Sequence, residues 1–125
     1  MTPVEEQFEA LRGEYPGAEL EPHPDGSLTV TVPDVPLPEG WEPRTTTVRF
    51  LVPVGYPAGR PDCFWTDDQV KLIGGKVPQA TGQNPKPYGP HGLLWFSWHI
   101  QNWSPNFDTL LTYFNVVTKR FETKQ

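Results

Sequence analysis

Within LLWFSWHIQNWSP, residues 93 to 105, a serine and a histidine stand two positions apart between large aromatics: Ser97 and His99, flanked by Trp95, Phe96 and Trp98. In extended backbone, residues two apart project to one face, so Ser97 and His99 would point together while Trp98 points away. A serine hydroxyl is a weak nucleophile until a base takes its proton. An imidazole with an ordinary pKa near 6.5 does this at neutral pH when its nitrogen lies within about 3 Å of the oxygen. Asn102, three residues further on, and Asn84 are side-chain amides able to stabilise a developing oxyanion. A bland reading stands beside this one: Leu94, Phe96 and Trp98 fill a core, Ser97 bonds locally, and His99 satisfies a backbone carbonyl.

Other chemistries find less support. Cys63 is the only cysteine. Its place in the strand-like run DCFWT suggests an inward position beside Phe64 and Trp65, where a buried thiol stays protonated and packs as a small hydrophobe. His23, His91 and His99 lie far apart without companion ligands, so neither a metal site nor a cofactor is expected. With a net charge of -5, a pI near 5.1 and no basic run longer than Lys119-Arg120, the chain lacks the footprint of a nucleic-acid binder. No apolar stretch approaches the roughly 20 residues of a membrane span. The start, MTPVEEQFEA, has neither basic n-region nor apolar run, and an unpaired cysteine suits a reducing compartment, so a cytoplasmic location is expected. Its 125 residues suggest one domain over 1–125, with five Trp, four Tyr and seven Phe to fill one core.

The elements that must carry these side chains are legible in outline. Thr2, Pro3 and Glu5 form a capping box with proline at the first helical position. Val4, Phe8 and Leu11 share a face, and Gly13 offers a C-cap, so a helix is expected over residues 3 to 12. SLTVTVP alternates Leu28, Val30 and Val32 against Thr29 and Thr31. PHPDG before it is a turn from a short strand near Ala18 to Glu21. TTTVRFLVP repeats the alternation with Val48, Phe50 and Val52 inward, and DCFWT adds a fourth strand to an antiparallel meander. Residues 67 to 92, dense in proline and glycine, are expected to form a long irregular loop, with Asp67 and Asp68 solvated. A last helix is expected from Ser104 as N-cap and Pro105 at the first position, its apolar stripe running through Phe107, Leu110, Leu111, Phe114, Val117 and Phe121. Lys119, Arg120 and Lys124 would face the negative pole of the helix dipole. The class is α+β, with helices on one face of a sheet.

The segment VPVGYPAGRPDCFWTD resembles the ubiquitin-conjugating-enzyme fold, whose members carry a Tyr-Pro followed by a Pro-initiated strand; Tyr56, Pro57 and Pro61 match. NWSPNFDTLLTYFNVV is similar to the Trp-Ser-Pro and helix that follow the active-site region in that family, with Trp103, Ser104, Pro105 and Leu110 in register. The resemblance covers residues 3 to 121. LPEGW, GYPAGRPDCFWTD, WFSWH and the Trp-x-Pro helix together are closer to a prokaryotic, bacterial branch, found beside ubiquitin-like proteins, activating-enzyme-like adenylating proteins and modifier-processing metallopeptidases. These three kinds of protein are the partners the resemblance implies.

Two departures bear on mechanism. The family's thioester cysteine falls, by this registration, on Trp95, which identifies the chain with a branch lacking the usual catalytic cysteine. The His-Pro-Asn tripeptide is also missing, with Asn84-Pro85 a partial echo. The resemblance then implies a pseudo-conjugating enzyme that binds or presents a ubiquitin-like modifier without a cysteine thioester. One alternative is an active transferase that carries the modifier as an oxyester on Ser97, with His99 as base and Asn102 at the oxyanion. A second is a stand-alone protein-interaction domain of similar fold.

Overall fold

A computed structural model describes residues 2–84, 93–98, 100 and 102–123, with the side chains of residues 83 and 84 left aside. The chain opens with helix α1, Pro3–Glu14. Thr2 caps it: its hydroxyl accepts the Glu5 N–H, and the Glu5 carboxylate accepts the Thr2 N–H. The expected helix is thus present and runs two residues further than expected. Gly13 does not end it; Tyr15 does, donating its N–H to Leu11 O. Boundary shifts of this size are ordinary.

Strands β1 (Glu19–Pro22), β2 (Leu28–Pro36), β4 (Thr45–Val52) and β5 (Phe64–Thr66) form the antiparallel meander, with β3 (Trp41–Glu42) in the connection between β2 and β4. In β4 the alternation holds; in β2 it is broken at its start, where Leu28 is only half-buried and Thr29, expected on the outer face, is buried with its hydroxyl bonded to the His23 ring. Val30, Val32, Val48, Phe50 and Val52 are all buried, because one face of a pleated strand must be apolar to pack. A bulge between Val32 and Val35 puts Asp34 at φ 56 and restores Val35 to the buried face.

The sheet is larger than the expected four strands. Among the described residues it has six, in the order β1-β2-β4-β5-β8-β7, where β7 is Thr81–Asn84 and β8 is Leu93–Phe96. Residues 67–92 are therefore not one irregular loop. They hold β6 (Lys71–Leu72), which pairs with β3, then a hairpin from Leu72 to Lys76 whose Gly74 and Gly75 take φ +91 and +85, then β7. Pro78 lies before β7, whose ladder to β8 runs uninterrupted from Thr81↔Phe96 to Asn84↔Leu93; residues 85–92 of the expected loop lie outside the described residues. Asp67 is not simply solvated. Its Oδ2 accepts the Thr46 hydroxyl at 3.2 Å and the Thr47 N–H at 3.1 Å, fastening the end of β5 to β4.

Helix α2, Leu110–Phe121, begins later than Ser104. The Ser104 carbonyl accepts the N–H of Phe107 and of Asp108, and its N–H donates to the Asp108 carboxylate at 2.7 Å, closing a separate turn over 104–108. Thr109, in extended conformation, then caps the helix in a box with Thr112. Phe107 consequently leaves the apolar stripe and stands 82% exposed. The stripe that remains, Leu110, Phe114, Val117 and Phe121, is buried together with Tyr113. With Phe8 and Leu11 of α1 it closes over Val30, Phe50, Phe64 and Phe96 in one cluster of buried residues. Tyr15 meets Phe114 edge-on at 4.8 Å, and Phe64 stacks on Phe96 at 4.7 Å. Each fully buried aromatic contributes on the order of 1.5–3 kcal/mol. No helix among the described residues is long and apolar enough to cross a membrane.

Candidate functional site

The site is built where β5 begins and β8 ends. The two strands pair Phe64↔Phe96, Trp65↔Trp95 and Thr66↔Leu94, so Cys63 and Ser97 are the first residues beyond the ladder on the same side. There the pairing changes. Cys63 takes φ 64, unusual for a residue with a Cβ, and its N–H reaches across to Trp98 O at 3.0 Å. The Trp98 N–H turns back to Phe96 O at 3.0 Å, and the Ser97 N–H donates to Ala80 O at 2.7 Å. The extended run therefore stops at Phe96. Strand pairing does not continue the register on which Ser97 and His99 would share a face.

Ser97 is half-buried at this exit from β8. His99 lies outside the described residues, as does His91. Asn102 is exposed, in left-handed conformation at φ 56, and no hydrogen bond joins it to Ser97 among the described residues. Asn84 closes β7 at the far end of the β7–β8 ladder, opposite Leu93, so its main chain is three pairs from Ser97's neighbour Phe96. Among the described residues no cluster of three His, Cys, Asp or Glu side chains is spaced to hold a metal ion.

Cys63 departs from the expected core position. It is half-buried and outside the buried cluster; Phe64, Trp65 and Thr66 after it are buried. Its left-handed backbone turns the residue out of the strand's alternation. The thiol receives a hydrogen bond from the Trp95 side chain, and its carbonyl accepts the Tyr113 hydroxyl at 2.6 Å. Partial burial, then the charge of Asp62, push the thiol above its usual value of 9.0, against the smaller opposing pull of hydrogen bonds from the Trp98 main chain and the Trp95 side chain. The sulfur is thus protonated at neutral pH, and the thiol rather than the thiolate faces Trp95.

A second layer positions this exit. Arg120, expected from sequence to face the negative pole of the helix dipole, is 2% exposed. Its guanidinium lies 5.7, 5.4 and 5.1 Å from the rings of Trp41, Phe96 and Trp98, and donates to Gln79 O at 2.9 Å and to the Thr123 hydroxyl at 2.8 Å. Burial lowers its pKa from the ordinary guanidinium value, which still leaves it charged. The signal was in the sequence: Tyr113, Val117 and Arg120 recur at helical spacing, on the face that packs. A cavity of about 620 Å³ opens above Trp98, Ile100, Val116 and Arg120.

The motif pieces at the other end of the site touch directly. The Trp103 indole donates to Pro57 O at 2.7 Å, and its ring meets Tyr56 at 5.8 Å. Trp98 and Trp103 are partly buried against the core and Trp41 is buried within it. The Tyr56 hydroxyl donates to Gln7 Oε1, which also accepts the Leu110 N–H at 3.1 Å, so α1, the Tyr-Pro turn and the start of α2 share one acceptor. Gln7 was not singled out from sequence, because an exposed-face glutamine in a helix carries no local signal. Burial, then the negative charge of Asp108, raises the Tyr56 phenol well above its ordinary value.

Against known proteins, the family described as Prokaryotic E2 family E matches residues 12–124. No curated protein and no solved structure matches the chain.

Proposed function

The chain belongs to the prokaryotic E2 family E, and from that premise we propose that it binds a ubiquitin-like modifier and presents it, without a cysteine thioester, in a bacterial cytoplasmic modification pathway. Its partners on this reading are the modifier, an activating-enzyme-like adenylating protein and a modifier-processing metallopeptidase. The observation that carries the reading is local. Where the resemblance places the reactive sulfur stands Trp95, paired with Trp65, and the chain's one thiol, Cys63, lies off that position, half-buried and in left-handed conformation one residue beyond the ladder.

Two covalent alternatives use the same exit from β8. In the first, Ser97 Oγ attacks the carbonyl of the modifier's C-terminal acyl adenylate, His99 takes the proton, AMP leaves, and an oxyester remains for transfer to an acceptor. Asn102 donates to the oxyanion. In the second, favoured by the place of Cys63 one residue beyond the same ladder, the Cys63 thiol gives its proton to solvent, its sulfur attacks the same acyl-adenylate carbonyl, AMP leaves and a thioester remains. The stand-alone interaction domain is the remaining alternative.

One experiment separates them. The purified chain is mixed with modifier, adenylating protein and ATP, and both binding and adducts are measured. Binding with no adduct supports the presenting role. A thiol-resistant, hydroxide-sensitive adduct lost in Ser97→Ala would establish serine chemistry; a thiol-sensitive adduct lost in Cys63→Ser would establish the thioester. Absence of binding to either protein would leave the interaction domain and overturn the proposal.

A further inference from the structure

We propose that Arg120 is the positioning residue of this site: from α2 it holds the Gln79-Ala80 main chain on which Ser97 hangs. Two successive carbonyls carry the argument. Gln79 O accepts Arg120 Nη2 at 2.9 Å, and Ala80 O accepts the Ser97 N–H at 2.7 Å. Between them Ala80 takes φ 58, a conformation that alanine adopts only when its surroundings impose it. Arg120 supplies one side of that constraint and the sheet supplies the other through Thr81↔Phe96.

The same guanidinium also fixes the chain beyond Ser97. Trp98 lies 5.1 Å from it, so the residues bonded to Ser97 on one side and following it on the other both rest on one buried cation. A planar fork is required for this. It donates from Nη1 to Thr123 Oγ1 and from Nη2 to Gln79 O while lying within 6 Å of three aromatic rings, a two-pronged donation that a lysine ammonium does not reproduce in the same geometry. A cation whose purpose was to complement the helix dipole would be solvated at the last turn, as Lys119 is placed to be; burying it against three rings and a distant carbonyl ties α2 to the exit of β8 instead.

The inference rests on the reading that the exit of β8 receives the modifier, and its test is chosen to stand apart from that reading. Amide hydrogen exchange is followed by NMR in the full chain, comparing Ser97 with amides of β2 and β4 in wild type, Arg120→Lys and Arg120→Gln. Positioning predicts that Ser97 exchange accelerates at least tenfold while β2 and β4 are unchanged, and that the Kd for the modifier rises at least tenfold in Arg120→Lys. Unchanged exchange at Ser97, or equal acceleration in all strands, overturns the proposal. Should neither variant fold, Trp98→Leu removes one ring from the guanidinium and is read by the same exchange criterion, with the same two overturning results. Local acceleration at Ser97 in a chain that never binds modifier would sink the functional reading and leave the positioning role intact.

Discussion

The indole N–H of Trp103 donates to the main-chain carbonyl of Pro57 at 2.7 Å, across forty-six positions of sequence. This bond joins the two segments that carry the family resemblance, the Tyr-Pro turn after β4 and the Trp-Ser-Pro turn before α2. It explains in physical terms why the two must occur together: each turn lacks a ladder of its own, and each is held by the other and by Gln7.

Removing that donor while keeping an aromatic ring should therefore cost stability. Trp103→Phe leaves the Pro57 carbonyl without its partner and should lower unfolding free energy by about 1–3 kcal/mol. Denaturant titration with an unchanged m-value is the measurement; a loss below about 0.3 kcal/mol would show that water replaces the indole without penalty.

Gln7→Ala removes one acceptor shared by the Tyr56 hydroxyl and the Leu110 N–H. We expect a loss of about 2 kcal/mol, larger than that of Tyr56→Phe, which removes only one of the two bonds. Equal losses in the two variants would mean that the bond to α2 contributes nothing.

The observed cap of α2, Thr109, and the expected one, Ser104, should behave differently. Thr109→Ala should cost about 1 kcal/mol, whereas Ser104→Ala should be close to neutral, since the turn at 104–108 uses the main chain of Ser104 and the carboxylate of Asp108. The reverse order of effects would place the helix start at Ser104.

The Cys63 thiol is raised, so its acid form is the one favoured by folding. A group shifted upward contributes stability that is complete below its unfolded value and is lost as pH rises through the folded one. Iodoacetamide labelling of the folded chain should accordingly show a pH midpoint above 9.0, the ordinary value for this group. Stability should decline with pH in the same alkaline window, and that decline should be smaller in Cys63→Ser. A labelling midpoint below 8 would overturn this and favour the thioester alternative.

Much of the fold was legible because its signals are local. The capping box of Thr2 and Glu5 marks α1 within a few residues, and the alternation in β2 and β4 marks their buried faces without reference to any partner. The candidate site was less legible than the fold, because it depends on how one strand ends and not on a periodicity. The aromatic run before the Trp-Ser-Pro turn drew attention to Ser97, but the strand was assumed to continue to His99. Beyond Phe96 the pairing changes at Cys63, just before β5, whose left-handed conformation carries its N–H to Trp98 O.

By itself the sequence determined the periodicities, the caps and the family motifs, all of which depend on residues close in the chain or on their order. The later start of α2 is likewise a local matter, since Asp108 closes a turn on Ser104 four residues away and leaves Thr109 to cap the helix. Tertiary structure alone decided two things. It made TGQN a strand because β8 lay open beside it, and it buried Arg120 because Trp41, Phe96 and Trp98 converge there. Each depends on a partner distant in sequence, and such contacts are set by packing, which no short window of residues encodes.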